Sequence, residues 1–272
     1  MAPTLADVLA VSEALWPAAG AESWDAAGLV SGGPASEIRR IHLTVDAVLD
    51  TVDEAIELDA DLLIAHHPLL LRGVTSVAED RYKGAILARL IRANCALLAA
   101  HTNADTVETG TSATLAASLG LTNLHPIVPG VPATRGIGRI GTLPEPTTVG
   151  RLARELATIL PATAGGIRVS GDYDSAVSTV ALCAGAGDAY LSEPRVLAAD
   201  VYITSDLRHH PASEFRENAR VADGPALIDV SHWASEWLWL DVAARELRDA
   251  LPGVTVTVSE LRTDPWDFVV VQ

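Results

Sequence analysis

The chain has 272 residues, of which 49% are hydrophobic and 4% aromatic, and its formal net charge at pH 7 is −16. The hydrophobic content excludes a disordered chain, and the negative charge makes nucleic acid or an anionic membrane an unfavourable partner. No apolar stretch approaches the roughly 20 residues that a membrane-spanning helix needs. The sequence therefore predicts a globular protein without membrane spans, large enough for one or two domains.

Cysteine usage and the N-terminal segment indicate the compartment. Cys95 and Cys183 each lie inside an apolar run without a nearby cysteine partner, which predicts two buried thiols rather than a disulfide framework. Residues 1–17 are acidic and amphipathic and lack the basic start of a secretory signal. We therefore expect a cytoplasmic protein.

The first half of the chain alternates predicted strands and helices. A helix is predicted over 4–16, with Thr4 as its cap and Pro17 as its stop, followed by a loop or short strand over 21–32. The next predicted strands are 41–46, 61–67 and 95–101, and the next predicted helices are 46–58, 82–94 and 111–120. Such an alternation is typical of a parallel sheet covered by helices.

Residues 126–150 are rich in Pro and Gly and mark a candidate domain boundary. Beyond them the predicted helices are 147–160, 194–199, 211–220 and 234–251, and the predicted strands are 167–171, 177–185, 200–206, 227–230, 254–260 and 267–271. We predict an α/β fold with two three-layer lobes, each built on a mostly parallel sheet. Residues 1–125 plus 222–272 would form a metal-binding domain, and 126–221 the second lobe.

His66 and His67 end the apolar run LLIA just before Pro68. Ligands collect beyond the carboxyl ends of parallel strands, and neighbouring side chains of a strand point to opposite faces. The pair is therefore suited to reach two different metal ions. The alternative is a turn with one capping histidine.

His101 and Asp105 frame the loop HTNAD after another apolar run. Asp105 offers a hard oxygen ligand, and His101 is a ligand or a hydrogen-bond donor to one. The alternative interpretation makes Asp105 a cap of the next helix, because Asp is a common capping residue.

His232 and Glu236 are four residues apart where the long helix begins, so they share one helix face. A carboxylate in that position can bridge two ions, and the nearby Trp233, Trp237 and Trp239 favour an enclosed setting. The alternative is an ordinary surface pair.

A second polar cluster, SDLRHH, contains Asp206, His209 and His210. It is a candidate for substrate binding or acid–base chemistry, and a solvated helix start is the alternative. The Gly-rich turn over 184–188 is a weak candidate phosphate cradle. Asp46 follows a predicted strand and is interpreted as a cap.

These segments together resemble the Nif-three-like family, whose bacterial members are labelled GTP cyclohydrolase I type-two homologues. The segments that carry the resemblance are WDAAGLVSG, AHHPLL, AHTNAD, GIGRIGTL, ALCAGAGD, SDLRHH and DVSHWASE. The resemblance implies an α/β protein with a dinuclear metal centre and a toroidal hexamer. The ligands that it implies are His66, His67, Asp105, His232 and the bridging Glu236. Departures from the family pattern fall at Ala26, Ala27, Ser231 and Ser235 and leave these ligands intact.

The functional hypothesis is a metal-dependent hydrolase of the cyclohydrolase or phosphoesterase type. It would use two divalent ions (zinc, iron, manganese, cobalt or nickel) on a nucleotide-like or heterocyclic small molecule, with His209 or His210 as general acid. The alternative is a non-catalytic protein that stores, delivers or senses metal. We also expect a homo-oligomer, most simply a hexamer, because three tryptophans are predicted to be exposed: Trp16, Trp24 and Trp266.

Overall fold

A computed structural model describes residues 2–271, which form two compact units. Unit 1 runs to Val107 and resumes over Leu240–Thr263, whereas unit 2 contains Glu108–Trp239 and the described residues from Asp264 onwards. Unit 1 thus combines an N-terminal with a C-terminal segment, and the units end at residues other than the predicted 125 and 222. The strand around Ile228 pairs with the strand around Ile203 and therefore belongs to unit 2.

The helices and strands are numbered in chain order. The α-helices are α1 Leu5–Leu15, α2 Leu49–Glu57, α3 Tyr82–Arg92, α4 Thr102–Asp105, α5 Thr111–Ser118, α6 Val149–Ile159, α7 Pro194–Leu197, α8 His209–Ala222 and α9 His232–Ala250. The strands are β1 Gly28–Ser31, β2 Arg40–Thr44, β3 Leu62–Ala65, β4 Ala96–Ala99, β5 Thr122–His125, β6 Val128–Pro129, β7 Gly136–Ile137, β8 Arg139–Thr148, β9 Arg168–Ser170, β10 Ala176–Ala186, β11 Val201–Ser205, β12 Ala226–Val230 and β13 Thr255–Val258.

Helix α1 illustrates how local sequence sets an element's limits. The Thr4 side chain accepts a hydrogen bond from the backbone N–H of Asp7, and the Asp7 carboxylate accepts one from the Thr4 N–H. This reciprocal pair satisfies two amides that the first helical turn leaves without partners. The predicted Thr4 cap is therefore confirmed.

The sheet of unit 1 has the strand order β1-β4-β3-β2-β13, in which only the edge strand β1 is antiparallel. Strands β3 and β4 are completely buried, as expected for central strands covered on both faces. Helices α2 and α3 pack on this sheet through Val52, Ile86 and Leu90 against Leu63. A mostly parallel sheet is therefore confirmed for unit 1.

The main sheet of unit 2 has the order β5-β8-β10-β11-β12-β9 and is mixed. Strands β10, β11 and β12 are parallel, whereas β5, β8 and β9 join antiparallel. The prediction of a mostly parallel sheet is therefore only partly right here. The hydrophobic pattern predicts whether a strand is buried but does not predict its direction. In addition, β8 lies in the Pro- and Gly-rich segment that was expected to be a domain boundary.

Two smaller predictions are wrong. Residues 267–271 form no strand, and Phe268 to Val271 are largely exposed, because no neighbouring strand of the described residues pairs with them. Trp16 is buried at 1% exposure, whereas Trp24 and Trp266 are exposed as predicted. Within residues 2–271, no helix combines the length and the apolarity required to cross a membrane.

Candidate metal-binding site

In unit 1, histidines follow the ends of two neighbouring parallel strands. His66 and His67 come directly after β3, and His101 comes two residues after β4. Because Ala65 pairs with Ala99 in register, both strands end at the same edge of the sheet. The ring centroids of the histidines are 5.0, 5.3 and 5.5 Å apart. One ligand atom from each lies within 4.8 Å of the others, so the group can hold a metal ion.

The backbone keeps His66 and His67 in a strand-like course. Their N–H groups donate to the carbonyls of Thr44 and Val45, each over 2.9 Å, which extends the pairing with β2 beyond the end of β3. The His66 side chain is fully buried, and that of His67 is 24% exposed. The histidine pair is therefore held by the sheet rather than by a loop.

Each of these imidazoles has an oxygen partner at Nδ1. His66 Nδ1 lies 2.8 Å from the carbonyl of Ala100, and His67 Nδ1 lies 2.7 Å from Asp46 Oδ1. Because a carbonyl or carboxylate oxygen only accepts, Nδ1 carries the proton and donates it. In the neutral ring, Nε2 then presents its lone pair, which is the arrangement found in metal-ligating histidines.

His101 follows the same rule through a buried carboxylate. Its Nδ1 lies 2.7 Å from Asp25 Oδ1, and the other oxygen of Asp25 accepts from the backbone N–H of Thr102 over 3.0 Å. Burial alone would raise the pKa of Asp25, but hydrogen bonds from Thr102 and His101 outweigh it, and the pKa lies below its ordinary value. Asp25 is therefore an ionised anchor for the His101 ring.

The charge state of His101 suits metal binding. Burial lowers its pKa most, the nearby His66 ring adds to the decrease, and Asp25 only partly offsets both. His101 is therefore neutral at pH 7. Asp105 Oδ1 lies 3.7 Å from His66 Nε2 and contributes a carboxylate on the side of that ring where the lone pair points.

In unit 2, the first turn of α9 pairs an imidazole with a carboxylate. His232 Nε2 lies 3.1 Å from Glu236 Oε1, and its Nδ1 lies 2.7 Å from Asp206 Oδ2. Asp206 follows β11 and has a φ of 59°, in the left-handed region that Asp and Asn tolerate best. Glu236 is only 4% exposed.

The carboxylates determine the protonation of His232. Burial would lower its pKa, but the negative charge of Glu236 and the hydrogen bond to Asp206 outweigh burial and raise the pKa well above its ordinary value. Without a cation, His232 therefore keeps its proton at neutral pH. A metal ion that binds here takes the place of that proton.

Gly185 of β10 makes room for this pair. Its φ is 70°, and a Cβ atom built on it would lie 2.2 Å from Glu236 Oε1 and 3.3 Å from His232 Nε2. Its N–H donates to Ser235 Oγ over 2.9 Å, so backbone and helix are joined at this point. The glycine in the turn AGAGD thus accommodates side chains of α9, which is a different role from the predicted phosphate cradle.

The family model described as Duf34/NIF3 (NGG1p interacting factor 3) matches residues 3–265. The chain belongs to this family. A Streptomyces coelicolor member, named GTP cyclohydrolase 1 type 2 homolog, is 46% identical over 271 residues, covering 97% of this chain and 94% of the relative. A Mycobacterium tuberculosis relative with the same name is 33% identical and covers 98% of both chains.

Solved structures of this family share the fold. A Bacillus cereus protein related to NIF3 superposes with a TM-score of 0.89 at 23% identity, covering 99% of this chain and 100% of the other. A Staphylococcus aureus hypothetical protein gives 0.87 at 25% identity, with coverages of 99% and 100%. The α/β fold predicted from the sequence is therefore confirmed.

The predicted ligands fall into the two groups of this NIF3-family chain. His66, His67 and Asp105 lie with His101 in unit 1, and His232 lies with Glu236 in unit 2. The predicted catalytic residues His209 and His210 are exposed on the first turn of α8, with ring centroids 5.2 Å apart. His209 lines a cavity of about 420 Å³ with Arg168 and Asp229. Their catalytic role stays a prediction.

Sequence reasoning missed the residues that hold the imidazoles. The sequence pattern does not single out Asp25, although it lies in the resemblance segment WDAAGLVSG, and it favours a helix cap at Asp46. The structure places Asp25 against His101, 76 residues away in sequence, and Asp46 against His67. The signal available was the position of each Asp, one after an exposed Trp and one at a strand end.

Proposed function

We propose that the protein is a metal-dependent hydrolase with two divalent ions per chain. The proposed ligands are His66, His67 and Asp105 of unit 1 and His232 and Glu236 of unit 2. The observation that carries the proposal is the histidine group of unit 1, in which each Nδ1 faces an oxygen acceptor and ligand atoms lie within 4.8 Å of one another.

The donor set is suited to borderline divalent metals. Imidazole nitrogen together with carboxylate oxygen favours zinc, iron, manganese, cobalt or nickel over calcium or magnesium. The carboxylates of Asp25, Asp46 and Glu236 lie next to the imidazoles, so a bound cation would find compensating charge in its surroundings. The residues present therefore fit such ions.

The protein's own residues would position the reaction. Bound ions supply Lewis acidity and lower the pKa of water, which is their usual contribution to hydrolysis. Asp25 and Asp46 orient the rings of His101 and His67, and Glu236 places a negative charge beside His232. His209 or His210 is proposed as the general acid that protonates the leaving group.

The substrate class rests on the relatives. Members that are 46% and 33% identical carry the name GTP cyclohydrolase 1 type 2 homolog, which favours a nucleotide-like or heterocyclic substrate. The second candidate function is metal storage or delivery without turnover. The complete burial of His66 favours it, because an enclosed ligand suits the retention of a bound ion.

The proposed assembly is a homohexamer in the cytoplasm. It is supported by the resemblance to the Nif-three-like family and by the exposed Trp266. Light scattering at micromolar concentration is expected to give about six times the mass of one chain. A monomer mass would contradict this assembly.

The variant His209→Ala distinguishes between the enzyme and the metal-carrier functions. We expect it to keep the metal content of the wild type by elemental analysis, because His209 is not a proposed ligand. In an enzyme its turnover on a panel of nucleotides and phosphoesters should fall by about 10²- to 10⁴-fold, as for the loss of a general acid.

His125→Ala is the matched control, since His125 is also exposed and in unit 2. It should change neither metal content nor turnover. A wild-type protein that holds metal but turns over no substrate, with His209→Ala silent throughout, would favour the carrier. A protein that binds no divalent ion would refute both functions.

A further inference from the structure

A tight turn places Trp24 beside the histidine group of unit 1. The N–H of Asp25 donates to the carbonyl of Glu22 over 3.0 Å, which closes the turn over residues 22–25. The Glu22 N–H donates to Thr102 Oγ1 over 2.9 Å, and Asp25 accepts from the N–H of Thr102 and from His101. The turn is therefore attached at both ends to the segment that carries His101.

Asp25 and Trp24 have opposite exposures. The Asp25 side chain is fully buried, whereas Trp24, its neighbour on the turn, is 58% exposed. Hydrogen bonds hold the backbone of the turn on both sides of Trp24, and its indole contacts the ring of His101. The fold therefore keeps a large aromatic surface in solvent at this position.

The indole lies next to the metal-binding group itself. The ring centroids of Trp24 and His101 are 5.8 Å apart, with an angle of 77° between the ring planes. This edge contact covers only part of the indole. A planar ring that stacks on the remaining surface would lie next to His101, which belongs to the histidine group of unit 1.

We propose that Trp24 is the stacking platform for the planar heterocyclic ring of the substrate. Aromatic side chains bind nucleobases through their π-faces, with little dependence on the identity of the base. The proposal rests on the proposed function, since it supplies the positioning of the heterocycle for that site. Trp24 acts as a binding residue and offers no metal ligand, because its indole nitrogen is only a hydrogen-bond donor.

The test compares a ligand with and without a planar ring. Guanosine 5′-monophosphate and ribose 5-phosphate share a sugar phosphate and differ in the purine. On zinc-loaded protein, calorimetry should show tighter binding of the nucleotide. Trp24→Ala should weaken nucleotide binding by about 10- to 100-fold and leave ribose 5-phosphate binding and zinc content unchanged. Trp24→Phe, which keeps an aromatic face, should recover most of the loss.

Trp266→Ala is the matched control, because Trp266 is 68% exposed in the other unit. It should bind both ligands like the wild type. Equal nucleotide affinity of Trp24→Ala and the wild type would overturn the platform, and a simultaneous change in the oligomer mass would assign Trp24 to a subunit contact instead.

Failure of the platform and failure of the metal centre are distinguishable. Zinc binding without any preference for the nucleotide over ribose 5-phosphate would overturn the platform and leave the metal proposal intact. Nucleotide binding that depends on Trp24 in a protein that takes up no metal would support the platform and refute the metal centre.

Discussion

In unit 1 the histidines follow buried strands, whereas in unit 2 His232 and Glu236 occupy the first turn of a helix. The strand-end rings have oxygen acceptors at Nδ1, and burial lowers the pKa of His101. The helix pair instead has carboxylates on both sides of one imidazole, which raise its pKa. Histidines fixed by a sheet are thus prepared for a cation, while a histidine between carboxylates holds a proton until a cation replaces it.

The largest expected effect is the loss of an ion from Glu236→Ala. Glu236 contributes the buried negative charge of the helix pair, so the affinity for an ion at this pair should fall, and at most one ion per chain should remain by elemental analysis. Asp241→Ala, an exposed carboxylate on the same helix, should leave the metal content as in the wild type. An unchanged two-ion content in Glu236→Ala would show that the bridging role is wrongly assigned.

A smaller effect is expected from Asp25→Asn, which keeps the side chain's shape and removes its charge. The ring of His101 loses its anionic acceptor, so zinc affinity should decrease by about 10- to 100-fold in chelator competition. Asp53→Asn provides the control, because Asp53 is a half-exposed partner of Arg89 in the same unit. Equal affinities of the two variants would mean that the orientation of His101 is unimportant for the ion.

The role of Gly185 is testable against another left-handed glycine of unit 2. Gly166 has a φ of 58° and no atom within 4 Å of an added Cβ. Gly166→Ala should therefore lower the free energy of unfolding by about 1 kcal/mol, the cost of left-handed backbone for a non-glycine residue.

Gly185→Ala should lower the free energy of unfolding by about 2–4 kcal/mol, because it adds a clash with Glu236 to the same cost of left-handed backbone. It should also weaken metal binding, which Gly166→Ala leaves unchanged. Urea unfolding and elemental analysis measure both effects. If the two alanine variants lose the same stability and keep the same metal content, Gly185 has no role beyond its conformation.

The smallest effect concerns Cys95, which precedes β4 and reports on the sheet that leads to His101. Burial raises the pKa of its thiol to about 12, so at pH 8 only about one thiol in ten thousand is ionised. In Cys183→Ser protein, a disulfide reagent should label Cys95 very slowly, with a rate that rises about tenfold per pH unit. Removal of the metal should leave this labelling rate unchanged. Rapid labelling after removal would show that the strand ends that carry the histidines are not ordered without the metal.

The sequence was most informative about unit 1. Apolar runs that end in His66-His67 and close to His101 predict central strands with ligands beyond their carboxyl ends, and parallel register then brings the histidines together. The hydrophobic pattern also predicted the positions of the helices to within a few residues, except α4, which lies in the predicted loop after His101. These features depend on residues close to one another in the chain.

The remaining features depend on distant pairings that local patterns do not encode. The direction of β8 cannot be inferred from its composition, and neither can the contact between Asp25 and His101. Trp16 shows the same limit, because its burial results from tertiary packing. The sequence predicts a cap at Asp46, because an Asp after a strand has the same local pattern whether it caps a helix or accepts a hydrogen bond from an imidazole.

The complete burial of His66 has a kinetic consequence. Its backbone amide and its ring both have partners inside the sheet, at Thr44 and Ala100. An ion held through this ring leaves only when the strand end opens, so its residence time follows the rate of local unfolding rather than the strength of a competing chelator. Hydrogen exchange at the His66 amide and metal release should accordingly slow down or speed up together.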